Sequence, residues 1–170
     1  LKLSKALNTT SILDYGCGKG TLGAAIPFPI WEYDPAISGK ETTPRPADIV
    51  VCVDVLEHVE PDRLDFVLDD LRRCVKQVGF FVINQGAAKK TLPNGKNTHL
   101  IQQGANWWRQ KLEKFFAIGS VKRIRLAKAD TAWDHNDHYE VRFIVGSRKS
   151  QVPGKVSGQM LSVPTKAQST

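Results

Sequence analysis

A short apolar strand that breaks into glycines and restarts as a helix constrains this chain more than any other feature. Ser11-Ile12-Leu13-Asp14-Tyr15 reads as the strand and Gly16-Cys17-Gly18-Lys19-Gly20 as the turn. Residues 21–26 then read as a helix that Pro27 and Pro29 stop. Glycine lets the backbone turn sharply and bring its amides close to a ligand, beside the positive end of the helix that follows. Nucleotide-binding turns are built this way, and spacing separates them. A phosphate-binding P-loop needs Ser or Thr after Gly-Lys, whereas Gly20 follows Lys19. A dinucleotide turn needs Gly-x-Gly-x-x-Gly, and Thr21 stands in its last position. That second reading is weakened but stays open.

Beyond the turn, strand and helix patterns alternate. Ile30-Trp31-Glu32-Tyr33 predicts a second strand, ended by Asp34-Pro35. Residues 48–53 form a near-continuous apolar run of the kind buried on both faces of a parallel sheet. A helix is predicted from Pro61, with Asp62 and Asp65 at its positive end and Arg72 and Arg73 at its negative end. Leu64, Val67, Leu68 and Leu71 are its expected buried stripe. A further buried strand is predicted over 80–83, a polar loop over 85–105, a helix over 106–116, and two more alternating strands near 121–126 and 139–145. This order predicts an α/β fold, an open, doubly wound and mostly parallel sheet with its ligand at the strand carboxyl ends. Residues 1–147 are expected to form the domain, and the Ser-, Gly-, Lys- and Gln-rich residues 148–170 a disordered basic tail.

Two segments together carry a family resemblance. Leu13-Asp14-Tyr15-Gly16-Cys17-Gly18-Lys19-Gly20 closely resembles the first motif of class I S-adenosylmethionine (SAM)-dependent methyltransferases. Asp48-Ile49-Val50-Val51-Cys52-Val53-Asp54-Val55-Leu56-Glu57-His58-Val59 resembles the same family's fourth strand and following loop. The resemblance implies a Rossmann-like methyltransferase fold, SAM as cofactor and methyl transfer as activity, in a compact chain similar to bacterial and phage members. Carried over by position, Gly16, Cys17, Gly18 and Gly20 would pass beneath the methionine part of SAM, and Asp14 would help hold its ammonium. Asp34, eighteen residues after Gly16, would take the ribose hydroxyls. Asp54 and Leu56 would line the cofactor pocket and face the methyl group.

One departure is plain. Asp48 follows only fourteen positions after Asp34, where the family normally fits a helix, a third strand and the loop that grips adenine. Pro35, Gly39, Pro44 and Pro46 oppose both elements, so an abbreviated second-helix and third-strand region is expected. About ten residues precede the first strand, so the N-terminal helices that often roof the substrate pocket are expected to be absent.

Methyl transfer from SAM is a displacement with a built-in leaving group, so the protein mainly aligns the partners and sometimes supplies a base. His58 follows the fourth-strand motif and is a candidate base, or else a loop residue packing its ring. His99, on the long loop, is a candidate base in a lid over the substrate, or else a solvated histidine. His135 and His138 beside Asp134 and Asp137 read as a solvated turn, and no metal is expected. Trp108 shares a stripe with Leu112 and Phe115 and is expected in the core, whereas Trp107 could line an acceptor pocket. The Asn/Asp-Pro-Pro-aromatic motif of amino-methylating DNA enzymes and the Pro-Cys nucleophile of cytosine-C5 enzymes are both missing. The expected acceptor is a small molecule or a protein side chain. The alternative is a SAM-binding protein that cleaves SAM or only binds it.

Charge does not alter this. The net charge is +7, but four basic residues and no acidic ones lie after Ser147, so residues 1–147 carry only +3. Nucleic acid is a possible but unsupported partner. No apolar run suits a bilayer crossing, so no membrane partner is expected, and oligomeric state is not legible. Cys17, Cys52 and Cys74 lack metal-ligand spacing and sit in apolar or glycine-rich runs, as expected of free thiols in a cytoplasmic chain.

Overall fold

The computed structural model describes residues 1–126 and 139–147. Helix α1 (Lys2–Leu7) leads into β1 (Ile12–Tyr15), α2 (Thr21–Ala25), β2 (Trp31–Tyr33) and β3 (Ala47–Val53). A 3-10 turn (Leu56–His58) precedes α3 (Leu64–Cys74), which runs directly into β4 (Val75–Asn84). Helix α4 (Ala105–Glu113), β5 (Phe116–Arg125) and β6 (Tyr139–Ser147) complete the order. The six strands form one sheet in the order β2-β1-β3-β4-β6-β5. The first four are parallel, and β6 lies antiparallel between β4 and β5. Chain order reverses between β1 and β3, and a crevice outside the carboxyl ends of such neighbours is where open α/β sheets bind ligands.

The two sheet faces are covered unequally. On one, Leu13, Val50, Cys52, Phe81, Ile83, Val141, Phe143 and Val145 are all buried, together with Leu64, Leu68 and Leu71 of α3 and Trp108 and Leu112 of α4. The predicted stripe of α3 is thus the one that packs, with Val67 at its half-buried margin. On the other face a cavity of about 890 Å³ opens over Ile12, Asp14, Ile49, Val51, Val53, Phe80 and Ile144. Short α1 and α2 flank it, and Val53 remains 39% exposed.

Several boundaries move from their predicted positions. Helix α3 begins at Leu64 rather than Pro61, because residues 61–63 form a turn. Strands β4 and β5 begin earlier than their apolar cores, at Val75 and Phe116, since ladder pairing with neighbours recruits polar residues that alternation alone does not mark. The N-terminal residues do form a helix: Leu, Ala and Lys are good helix formers, and Asn8 closes it in the left-handed region at φ 48°. Residues 34–46 hold neither helix nor strand, so the abbreviation expected there is real and β2 is a sheet edge. The expected tail and the His135–His138 region lie outside the described residues.

Candidate active site

Strand β1 ends in a loop held by its own amides. Gly16, Gly18 and Gly20 all have positive φ, at 77°, 51° and 78°, which glycine adopts without the Cβ penalty. Gly16 N and Cys17 N both donate to the Tyr33 carbonyl at the end of β2, at 2.7 and 3.0 Å. Gly18 N donates to Asp34 Oδ2 at 2.8 Å, and Gly20 N to the Cys17 carbonyl at 2.9 Å. These amides are therefore engaged within the chain rather than offered outward. What the turn presents is bare backbone: a Cβ on Gly18 would meet nothing within 4 Å.

Asp34 is the hinge of this arrangement. Its Oδ1 accepts from Ala36 N at 2.9 Å while Oδ2 holds Gly18, and Asp34 N closes residues 34–40 by donating to the Lys40 carbonyl at 3.0 Å. Lys40 Nζ then reaches back to Glu32 Oε2 at 3.0 Å. Asp14, buried at 6% exposure, faces this group from β1. Burial pushes its carboxyl up to about 6 from the usual 3.8; the Glu32 and Asp34 charges add to the rise and Lys40 opposes it. Asp14, Gly16, Cys17 and Asp54 line the cavity.

Strand β3 ends at a second cluster. Asp54 is held at φ 53°, a left-handed conformation rare outside glycine, with its amide donating to the Val82 carbonyl at 3.0 Å. Loss of hydration raises its carboxyl pKa, and the Glu140 charge on β6 adds to this. Glu57 is fully buried, and its Oε1 accepts from Asn84 N at 2.8 Å. Burial raises Glu57 to about 7. His58 Nδ1 lies 2.8 Å from the Thr98 carbonyl and His99 Nδ1 2.6 Å from the Gly86 carbonyl. A carbonyl can only accept, so each Nδ1 carries a proton, and in the neutral tautomer the lone pair falls on Nε2. The two rings meet edge to face, 4.7 Å between centroids.

The family model described as "Methyltransferase domain" matches residues 1–125 of the chain. The chain belongs to that family. A search of curated protein sequences found no match. Among solved structures, this methyltransferase is similar to the Burkholderia thailandensis 1,6-didemethyltoxoflavin-N1-methyltransferase, crystallised with S-adenosylhomocysteine (14% identity, TM-score 0.60, 86% of this chain and 75% of that one). It is also similar to a SAM-dependent methyltransferase from Archaeoglobus fulgidus (17%, 0.51, 85% and 91%). A third is the magnesium protoporphyrin IX methyltransferase of Synechocystis (15%, 0.52, 85% and 78%). At these identities the likeness is one of fold, and it agrees with the Rossmann-like, mostly parallel sheet. SAM is the cofactor of this methyltransferase class.

Within this methyltransferase the expected residues are distributed unevenly. Asp14, Gly16, Cys17 and Asp54 share the cavity wall, while Gly18, Gly20 and Asp34 lie beside it at the loop. Leu56 departs from expectation: at 1% exposure it packs in the core beneath the 3-10 turn and is absent from the cavity lining. His99 is buried at 8%, not solvated, because Asn97 Oδ1 takes its amide and Gly86 its ring. His58 is exposed beside it. Trp108 is fully buried and Trp107 is 37% exposed, the two rings meeting edge to face. Glu32, Lys40 and Glu57 were missed as site residues. Strand parity could have found Glu32, two residues before Asp34 and therefore on its face of β2.

Proposed function

We propose that this methyltransferase binds SAM across the β1–β3 crevice and passes its methyl group to a small molecule or a protein side chain. Asp14 is assigned the ammonium, Asp34 the ribose hydroxyls through its remaining lone pairs, and Asp54 the cavity wall near the methyl. The uncovered backbone at Gly18 lets the methionine part approach closely, with Gly16, Cys17 and Gly20 assigned to the same turn beneath it. His58 and His99, with free Nε2 atoms at the adjoining strand end, are assigned the acceptor's proton. One observation carries the reading: Asp14 sits buried among other carboxylates at the cavity wall, an arrangement that an ammonium would relieve. Support for a small acceptor comes from the 1,6-didemethyltoxoflavin and magnesium protoporphyrin IX named for two structural neighbours.

Among the described residues no helix is long and apolar enough to cross a membrane. The three cysteines are free and buried, which supports a cytoplasmic assignment. The compact loop after Asp34 favours a second reading, in which SAM is bound or cleaved without transfer, because the usual adenine-gripping segment is lacking. Isothermal titration with SAM and S-adenosylhomocysteine tests the first reading; binding of both, weakened by Asp34→Ala and Gly18→Val, is expected. Mass spectrometry of SAM held with the protein alone separates the two: breakdown without an acceptor supports cleavage.

A further inference from the structure

Glu57 presents a problem that methyl transfer does not solve. Its Oε1 takes the Asn84 amide, but Oε2 is wholly buried with no amide or hydroxyl donor on it, and the carboxyl lies against that of Asp54. Leaving a buried carboxylate oxygen unpaired costs about 1–3 kcal/mol or more, and Ile101 N, donating to the Glu57 carbonyl at 3.0 Å, ties the long loop down over it. One donor atom from each of Glu57, His58 and His99 lies within 4.8 Å of the other two. Bonds of about 2.0–2.2 Å around a tetrahedral ion place ligands about 3.3–3.6 Å apart, so a single ion is reached once these side chains close by about an ångström.

We propose that Glu57, His58 and His99 bind a divalent first-row transition cation, with Asp54 as the neighbouring carboxylate. The donor set chooses the class. Two imidazoles and one carboxylate suit zinc, iron, cobalt or manganese, whereas calcium and magnesium favour sites made wholly of oxygen. Each imidazole donates Nδ1–H to a backbone carbonyl, as metal-ligating histidines commonly do, and each leaves Nε2 for the ion. Two of the three ligands sit on rigid footing: Glu57 is locked by β4 through Asn84, and His99 by the Asn97 side chain, which also takes the Ala88 amide at 2.9 Å and donates to its carbonyl at 2.8 Å. A bound ion occupies the lone pairs otherwise assigned to the acceptor's proton, so in the loaded protein the ion, by lowering the pKa of an oxygen it binds, takes over that role.

Cation binding at these donors needs no SAM and is measured apart from it. Purified chain is titrated with manganese, cobalt or zinc chloride, following heat by calorimetry and, for cobalt, the visible absorption of the bound ion. Saturable one-to-one binding is expected, weakened about tenfold or more by His58→Ala and by Glu57→Gln. His58 is exposed and Gln keeps the acceptor for Asn84, so both variants are expected to fold, and thermal melts without metal check that they do. No saturable binding of any of the three ions overturns the proposal, as does equal affinity in folded variants. A parallel SAM titration keeps the two readings separable: loss of SAM binding with retained cation binding strikes only the methyl-transfer assignment.

Discussion

Asp14 and Glu32 stand opposite each other in register on β1 and β2, and Lys40 offsets their repulsion through its 3.0 Å pair with Glu32. Like charges placed directly across a ladder are destabilising, so the cation belongs to the site as much as the acids do. In Lys40→Met the charge that lowers the Asp14 pKa is gone. The Asp14 carboxyl is then expected to titrate above its present value of about 6, with a larger protonated fraction at neutral pH and SAM affinity reduced several-fold. Carboxyl NMR of Asp14 checks this. An unmoved titration midpoint would show that Lys40 is not coupled to it.

Asp14 itself makes stability and cofactor binding respond oppositely to pH. Its folded value lies above the usual 3.8, so the folded chain holds the proton more tightly than the unfolded one. The linkage slope is then negative between about pH 4 and 6: stability is greatest below that window and falls as pH rises through it. Allowing for water reaching the cavity side, the penalty at neutral pH is about 1–2 kcal/mol. Asp14→Asn is expected to recover about that much at pH 7, to flatten the slope, and to bind SAM more weakly. Urea melts from pH 4 to 7.5 with a SAM titration at each step measure both.

The glycines of the loop do different work. A Cβ on Gly16 would lie 2.4 Å from Val55 Cγ2, while one on Gly18 meets open space. Gly18→Ala is expected to cost about 1–2 kcal/mol, the left-handed backbone alone, and Gly16→Ala roughly 1–3 kcal/mol more for the clash. Chemical denaturation ranks the pair, and equal losses would contradict the packing of Val55.

Much of this was legible because the pattern is local. The β1 turn, the α3 stripe and the apolar β3 run each lie within a dozen residues, so periodicity and glycine spacing are enough to place them. Asp14, Gly16, Cys17 and Asp54 on one cavity wall follow from two strand ends meeting at a switch point. The pairing of Glu57 with Asn84, and of His58 with Thr98, depends on long separations that no local pattern records. Leu56 illustrates the limit: its place in the motif suggests the methyl group, but a 3-10 turn rotates its side chain into the core. The start of β4 was hidden for a related reason, because Val75 follows Cys74 of α3 with no turn residue between them.

The unequal faces of the sheet make a last, direct prediction. Leu68 is fully buried between α3 and the sheet, whereas Val53 on the opposite face is 39% exposed over the cavity. Leu68→Ala removes packed methyl groups and leaves a void, so a loss of about 2–5 kcal/mol is expected. Val53→Ser removes a half-solvated side chain and is expected to cost about 1 kcal/mol or less. Equilibrium unfolding of the two variants without ligand distinguishes a one-sided core from a two-sided one. Comparable losses would mean that the cavity face carries as much of the folding energy as the face beneath α3 and α4.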